Sequence, residues 1–512
     1  MSWSEGYVAD INYTFGYYAE MNPVRLNLAL LLAGLEGLPD GPCCELGFGQ
    51  GVSINVHAAG NIGRQWWGTD FNPAQVAYAR QLASAAGSQA ILDEQSFADF
   101  CARDDLPPFA LIALHGVWSW ISDDNRHQIV ELARRRLLPG GVLYVSYNTP
   151  PGWSPMQPLR HLLVEHARSM SAPGCQTPDK MAAAIQFSEQ LLAVEPLFAK
   201  ANPALLQRVK TLGGQHPAYL AHEYMNADWV PMPFADVARW LAPAKLNYAG
   251  SAQPLDYLDA LHMTDAQREL MTGIEDREFR ETVRELILNQ QFRRDVWVKG
   301  ARRLPKREQM QRFWQLPLVL VAASVPEELK VQTARGEVGL QSRYYHPVLA
   351  LLAAQDEPLT VGELARQLQS AGPYDAALLM QIVTTLVGMG LVMPAQSVAA
   401  TDAARPYTAR LNAHFWREAL HSQDVVYNVS PVTGGGVTIG HVPQLLLAAR
   451  AEGHVSPDAW VAFARQRLMS EGRGLSKAGQ SLQDATQVDA ELREQAARFV
   501  QLLPVLQRLQ IV

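Results

Sequence analysis

The chain is short of cysteine, has no surplus of basic charge and carries no long apolar run, and each shortage removes a class of protein. Its four cysteines, Cys43, Cys44, Cys101 and Cys175, form no C-x-x-C pair and no Cys/His cluster at metal-ligand spacing. Neither a disulfide scaffold nor a metal site is expected. The adjacent Cys43 and Cys44 read as buried apolar residues, which suits a reducing, cytoplasmic setting. A formal net charge of -7 leaves no basic surface for general nucleic-acid binding. The stretch "LNLALLLAGLEGL" is too short to span a bilayer, and "MSWSEGYVADIN" lacks the basic and apolar regions of a leader, so no membrane insertion is expected. The 48% apolar and 18% charged fractions are those of an ordinary soluble protein. At 512 residues the chain outgrows a single core, and about two to four domains are expected.

What is present is an alternation of short apolar runs and amphipathic stretches. Asn22 caps and Pro23 opens a helix through "VRLNLALLLAGL". "CCEL", "QWWGTD", "AILDEQSF", "FALIALHGVWSW" and "VLYVSYN" read as five strands. Helices fall between them over residues 53–59, "NPAQVAYARQLASAAG" and "RHQIVELARRRL". Strands alternating with helices imply a parallel sheet covered on both faces. Residues 152–212 then read as helical, and "PAYLAHEYM", "FADVARWLA" and "KLNYAGSA" as a strand, helix and strand that complete the sheet near Leu220 and Tyr248. "DREFRETVRELILNQQFRRDVWVKGARRL" reads as a long, partly basic helix whose basic run, Arg293 to Arg307, is a solvated face. Beyond residue 335 helix pairs end in a β-like run.

The segment "CCELGFGQG" leaves the first strand through Gly47, Gly49 and Gly51, the pattern that brings backbone close to a nucleotide. The dinucleotide fingerprint G-x-G-x-x-G is not met, because Val52 stands where its last glycine would be. Glu45 precedes the loop, and a carboxylate there would oppose a pyrophosphate but suits a cationic ligand. Asp70, nineteen residues after Gly51, ends the second strand where it can accept ribose hydroxyls. That spacing alone would also suit NAD; E-x-G-x-G-x-G together with "LLPGGVLYV" favours S-adenosylmethionine.

"ELGFGQG", "GTDFNPAQVAYA" and "LLPGGVLYV" resemble the successive motifs of class I S-adenosylmethionine-dependent methyltransferases. "HGVWSWI", "SYNTPPGW", "HEYMN" and "ILNQQFRRDVW" resemble the subset with a methyltransferase regulatory domain, which includes rickettsial protein-lysine methyltransferases. The resemblance implies a Rossmann-like α/β sheet and a cytoplasmic bacterial enzyme, often dimeric. It further implies that Glu45, Gly47, Gly49 and Gly51 shape the donor pocket and that Asp70 holds the ribose. Phe71, Ser96 and Phe97 would then lie about the adenine, with Tyr13, Tyr17 and Tyr18 as a lid.

For the acceptor, "HGVWSW" and "YNTPPGW" leave the fourth and fifth strands at their ligand-binding ends. His115 is a candidate base, Asn148 a candidate amine-orienting group, and Trp118, Trp120, Tyr147 and Trp153 candidate walls of a cation-tolerant slot. Each has a structural alternative: His115 as a satisfied strand-end residue, the tryptophans as packing for the insert. "NTPPGW" is similar to the Asn-Pro-Pro-aromatic loop of amino-group methyltransferases, yet it follows the fifth strand rather than the fourth and inserts Thr149.

The reading is therefore a methyltransferase core over residues 1–151, a helical insert (cap or dimerisation) over 152–212, and sheet completion over 213–255. A mainly helical middle or regulatory region over 256–334 and a winged-helix-like C-terminal domain over 335–512 follow. The expected function is methylation of protein side chains, lysine in particular, from S-adenosylmethionine and without a metal. The alternatives are a small-molecule or sugar methyltransferase and a non-catalytic donor-binding docking protein.

Overall fold

A computed structural model of the chain describes residues 6–8, 11, 13–172, 174–215, 217–369, 372, 374–477, 480–482 and 484–512. Most of the segment inspected for a leader, residues 1–12, lies outside the described residues. The strands β1 (Cys43–Leu46), β2 (Trp66–Asp70), β3 (Ile91–Glu94), β4 (Phe109–Leu114), β5 (Leu137–Asn148), β6 (Leu246–Ser251) and β7 (Phe292–Lys299) form one sheet. Its order is β3-β2-β1-β4-β5-β7-β6. The first five strands are parallel, and β7 runs antiparallel to both β5 and β6. Chain order reverses between β1 and β4, which opens a crevice beyond their C-terminal ends, where sheets of this kind bind ligands.

Period-two alternation sorts the strands' side chains between two cores. Cys44, Ile112, Leu114, Leu143, Val145 and Trp297 enter one, and Cys43, Leu111, Ala113, Val142, Tyr144, Val296 and Val298 the other. The two adjacent cysteines thus face opposite sides of the sheet, and burial pushes both thiols up, Cys43 to about 12. They are apolar filling, as the sequence suggested. The helices α1 (Pro23–Leu32), α2 (Val52–Gly60), α3 (Pro73–Ala86), α4 (Phe97–Ala102) and α5 (Asp123–Arg136) cover the sheet. Asn22 and Asn72 cap α1 and α3 ahead of a first-turn proline, Asn22 accepting the Val24 N–H and Asn72 those of Ala74 and Gln75, an arrangement worth about 1 kcal/mol per cap.

After β5 come α6 (Pro150–Trp153), α7 (Gln157–Ser169), α8 (Thr177–Ala193), α9 (Leu197–Ala201), α10 (Leu205–Leu212) and α11 (Pro217–Tyr224). Trp153, Met156, Leu163, Ile185, Val209, Leu220 and Tyr224 give this group a core of its own. The strand expected near Leu220 is therefore the helix α11. Leu220 and Tyr224, one helical turn apart, share the face turned into that core. The second expected strand, at Tyr248, is β6.

The chain continues through α12 (Phe234–Leu241), α13 (Asp259–His262), α14 (Asp265–Thr272) and α15 (Arg277–Leu288) into β7. The long basic helix expected here is a helix followed by the strand that joins β5 to β6, and Arg293 is no solvated side chain. It is 6% exposed, and its guanidinium meets Asp295 at 2.9 Å, Glu281 at 3.0 Å and Glu285 at 3.5 Å. Tyr147 donates to Asp295 at 2.6 Å, and Glu285 accepts the Phe234 N–H that opens α12. Burial raises the Glu285 carboxyl to about 7 against the pull of Arg293.

Residues 335–512 group in two apolar cores. One gathers the helices Ser342–Ala353, Val361–Leu368 and Ala376–Gly388 around a three-stranded antiparallel sheet of residues 317–320, 359–360 and 392–394, together with Leu28 and Leu31 of α1. The other is built mainly from the helices His441–Ala451, Pro457–Ser470 and Ala485–Arg508. The long helix Val398–Glu418 joins them and packs through Leu411 and Phe415 on α2 and α3.

Removing one partner of a buried ion cluster strands the others, at a cost of about 3–5 kcal/mol. Arg293→Ala should therefore lower the melting temperature sharply. Lys306→Ala, in the exposed part of the same basic run, should leave it nearly unchanged. Thermal denaturation of the two variants beside the parent checks the contrast.

Candidate functional site

The loop that leaves β1 turns three times through left-handed backbone, with φ of +69° at Gly47, +56° at Gly49 and +71° at Gly51. Glycine is also required by close approach. A Cβ on Gly47 would come within 2.8 Å of Val117, and one on Gly51 within 2.3 Å of the Ala79 Cβ. Asp70, at the end of β2, accepts the Gly49 N–H at 2.8 Å and the Asn72 N–H at 2.9 Å. One carboxylate thus pins the glycine loop to the start of α3, and burial raises it to about 6.

A cavity opens above these strand ends. Glu45, Gly47, Gly49 and Asp70 form its floor, and Phe71, Ser96 and Phe97 one wall. Gly51 does not line it; its Cα faces Ala79 on the far side of the loop. Glu45 is 3% exposed, and its Oε2 has no hydrogen-bond partner among the described residues. Burial and the neighbouring Asp70 hold its carboxyl well above the usual range. Ser96 caps α4, accepting the Asp99 N–H and donating to the Asp99 carboxylate. Phe71 meets the edge of Tyr7 at 5.6 Å.

His115, at the end of β4, also lines the cavity. Its ring stacks on Tyr18 at 3.8 Å, and its Nδ1 lies 2.8 Å from the Tyr144 hydroxyl. Burial lowers the imidazole to about 4, so it is neutral near pH 7 and a weak base. Trp118 and Tyr147 are not at the cavity. Trp118 is fully buried in the sheet's core, with its indole N–H toward the Met232 sulfur, and Tyr147 serves Asp295. Strand parity explains Tyr147, since Tyr144, Ser146 and Asn148 occupy the opposite face of β5. Asn148 is buried beside the cavity rather than in it: its backbone N–H goes to Ser119, and its side-chain nitrogen makes no well-formed hydrogen bond.

Sequence reasoning missed Tyr7, Asp228, His222 and Glu223. The first two line the cavity. A side pocket sharing Tyr7, Tyr13, Gly116 and Trp120 with it is closed by Tyr219, His222 and Glu223 of α11. Two anchors hold α11 there. Arg160 donates to the carbonyls of Tyr224 and Asn226 at its C-terminal end, where a cation is favoured. The amino-terminal segment is tied to it by Val8 N–H to Asn226, Ala227 N–H to Gly6, and His222 against the Ile11 carbonyl. The tyrosine cluster flagged Tyr13 and Tyr18, but Glu223 stands among the apolar and aromatic residues of "PAYLAHEYM" with no spacing signal.

The donor set fits S-adenosylmethionine. An unpartnered buried carboxylate at the floor calls for a cation, which an ammonium or sulfonium supplies and a pyrophosphate does not. Asp70 would hold the ribose hydroxyls, and Phe71 and Phe97 would flank the base. Asp70→Ala should weaken S-adenosylhomocysteine binding by about 1.5–3 kcal/mol per charge-assisted hydrogen bond lost, about ten- to a hundredfold each. Because burial raises the folded carboxyl, protonation below about pH 6 removes an acceptor. Affinity should fall as pH drops through that value, and in Asp70→Asn the fall should vanish. Calorimetric titration across pH checks both.

A model of the methyltransferase domain matches residues 44–141, and one of the predicted methyltransferase regulatory domain matches residues 216–299. An uncharacterized protein of Synechocystis is 35% identical over 516 residues, covering 100% of both chains. One from Rickettsia prowazekii is 27% identical over 54% of this chain and 53% of its own. The fold is similar to the structure of PKMT2 from Rickettsia typhi in complex with AdoHcy, with a TM-score of 0.69 at 17% identity, over 96% of this chain and 99% of that one. The glycine loop, the sheet order and these matches agree: the chain belongs to the class I S-adenosylmethionine-dependent methyltransferases that carry a methyltransferase regulatory domain, and S-adenosylmethionine is its cofactor.

Proposed function

We propose that this enzyme methylates protein side chains and that its acceptor is the lysine amine. The observation that carries the reading is the acidic lining of the cavity. Glu45, Asp70 and Asp228 line it, Glu223 lies next to it, and among the described residues no lysine or arginine lines either space. A low-dielectric space with carboxylates and tyrosine rings favours an approaching cation over a neutral hydroxyl. The whole-chain likeness to a rickettsial protein whose name denotes a methyltransferase of this class supports the same choice. When bound, the cofactor supplies a methyl group made electrophilic by its sulfonium. The chain's part is to align the acceptor, exclude water and remove a proton from the amine, since an ammonium has no lone pair. In this reading the helices α6–α11 form a cap on the acceptor side, and His115, neutral and stacked on Tyr18, positions rather than titrates.

Incubation of the purified protein with methyl-labelled donor and cell lysate tests the proposal. Label should enter protein and, after acid hydrolysis, co-migrate with methylated lysine. Label confined to low-mass material would favour a metabolite or sugar acceptor. Tight S-adenosylhomocysteine binding with no label in any fraction would favour a docking protein.

A further inference from the structure

Resting on that reading, we propose that the side pocket beneath α11 receives the acceptor ammonium and that Glu223 takes its proton. The pocket holds about 20 Å³, room for one water-sized group such as an ammonium head. It shares Tyr7, Tyr13, Gly116 and Trp120 with the donor cavity, so a nitrogen seated there lies beside the donor. Tyr219 and Glu223, one helical turn apart, project from α11 about 100° around the axis from Leu220 and Tyr224, which are buried in the insert's core. The helix therefore presents this carboxylate by construction.

The surroundings of Glu223 suit a proton acceptor. From the amino-terminal segment Tyr7 and Tyr13 face it, from its own helix Tyr219 and Tyr224, and from α10 Arg208. His222 is its neighbour on α11. Burial raises the phenols, so they remain neutral and can crowd a cation with ring faces. Burial likewise raises Glu223 to about 7, against the pull of Asn148 and Arg208. Asn148 is 2% exposed, and its side-chain amide bears on the carboxylate and steadies its charged form. A base poised near the working pH is the efficient choice for general catalysis. The carboxylate accepts one proton from the ammonium, and the N–H pair stays on nitrogen as the lone pair. That pair forms the N–CH3 bond while the S–CH3 pair stays on sulfur. The acid then returns its proton to solvent.

The test compares the parent with Glu223→Gln and Glu223→Asp, using poly-L-lysine and methyl-labelled donor. Glu223→Gln should bind S-adenosylhomocysteine within about twofold of the parent and melt at a similar temperature, yet lose about a hundred- to ten-thousandfold in turnover. Glu223→Asp should recover part of that loss. The parent's rate should rise with pH through about 7, and the variant's should not. Independently of turnover, infrared difference spectra should contain a protonated-carboxyl band that titrates in that range and is missing from Glu223→Gln. Poly-L-lysine labelled by the parent and equally by Glu223→Gln, or an unchanged infrared titration, overturns the role of Glu223 while leaving lysine methylation standing. No label on poly-L-lysine or lysate lysine from the parent, with label on a hydroxyl or thiol acceptor instead, overturns both.

Discussion

A single buried guanidinium ties together four elements of the sheet and its cover. Arg293 sits in β7 among Asp295, Glu281 and Glu285, and none of these charges is tolerable in the interior without the others. Glu281 and Glu285 belong to α15, Glu285 also receives the first N–H of α12, and Asp295 receives the Tyr147 hydroxyl of β5. One ionic centre thus clamps the fifth strand, the seventh strand and two helices together. It fixes β7 between β5 and β6, so the parallel half of the sheet and the region matched by the regulatory-domain model form one body.

Above that frame, function depends on segments distant in sequence. The glycine loop follows β1, its carboxylate anchor ends β2, the stacked histidine ends β4, and the acidic helix face comes from α11. Tyr7 links them, bearing on both Asp70 and Glu223. Arg160 and the contacts of Gly6, Val8 and Ile11 make the amino-terminal segment and α11 a single cover. The donor cavity and the acidic side pocket thereby share walls, as a reaction between two bound groups requires.

How much of this was legible in the sequence follows from which forces act locally. The first five strands and the helices α2, α3 and α5 between them were readable because their burial is periodic and their caps are local, as Asn22–Pro23 and Asn72–Pro73 illustrate; the short α4, read as the loop leaving β3, was not. Asp70 and the glycines were readable because backbone geometry demands those residue types. β7 was not: "FRRDVWVK" carries its charges inward, and only the distant Glu281 and Glu285 make that tolerable. Nor was α11, whose aromatic and apolar residues suggest a strand until the core supplied by α7, α8 and α10 is known. Tyr147 was placed at the correct strand end but on the wrong face, an error of a single residue in parity. Glu223 falls within "HEYMN", one of the stretches that carry the regulatory-domain resemblance, yet no spacing marks it as a site residue, because its role depends on what the fold brings to it.

The long helix Val398–Glu418 packs on α2 and α3 through Leu411 and Phe415, burying Val52, Val56 and Leu82. Those are the helices that begin at the glycine loop and at the Asp70 turn. A segment four hundred residues along the chain thus forms the outer lining of the donor-binding helices. The stretch of 44–141 recognised as a methyltransferase domain is consequently not a module that can be excised. Truncation before this helix would leave an oily surface on the two helices that support the loop, inviting self-association. The smallest working unit of this enzyme is much larger than its signature, and grafting or minimising it must retain the helix Val398–Glu418.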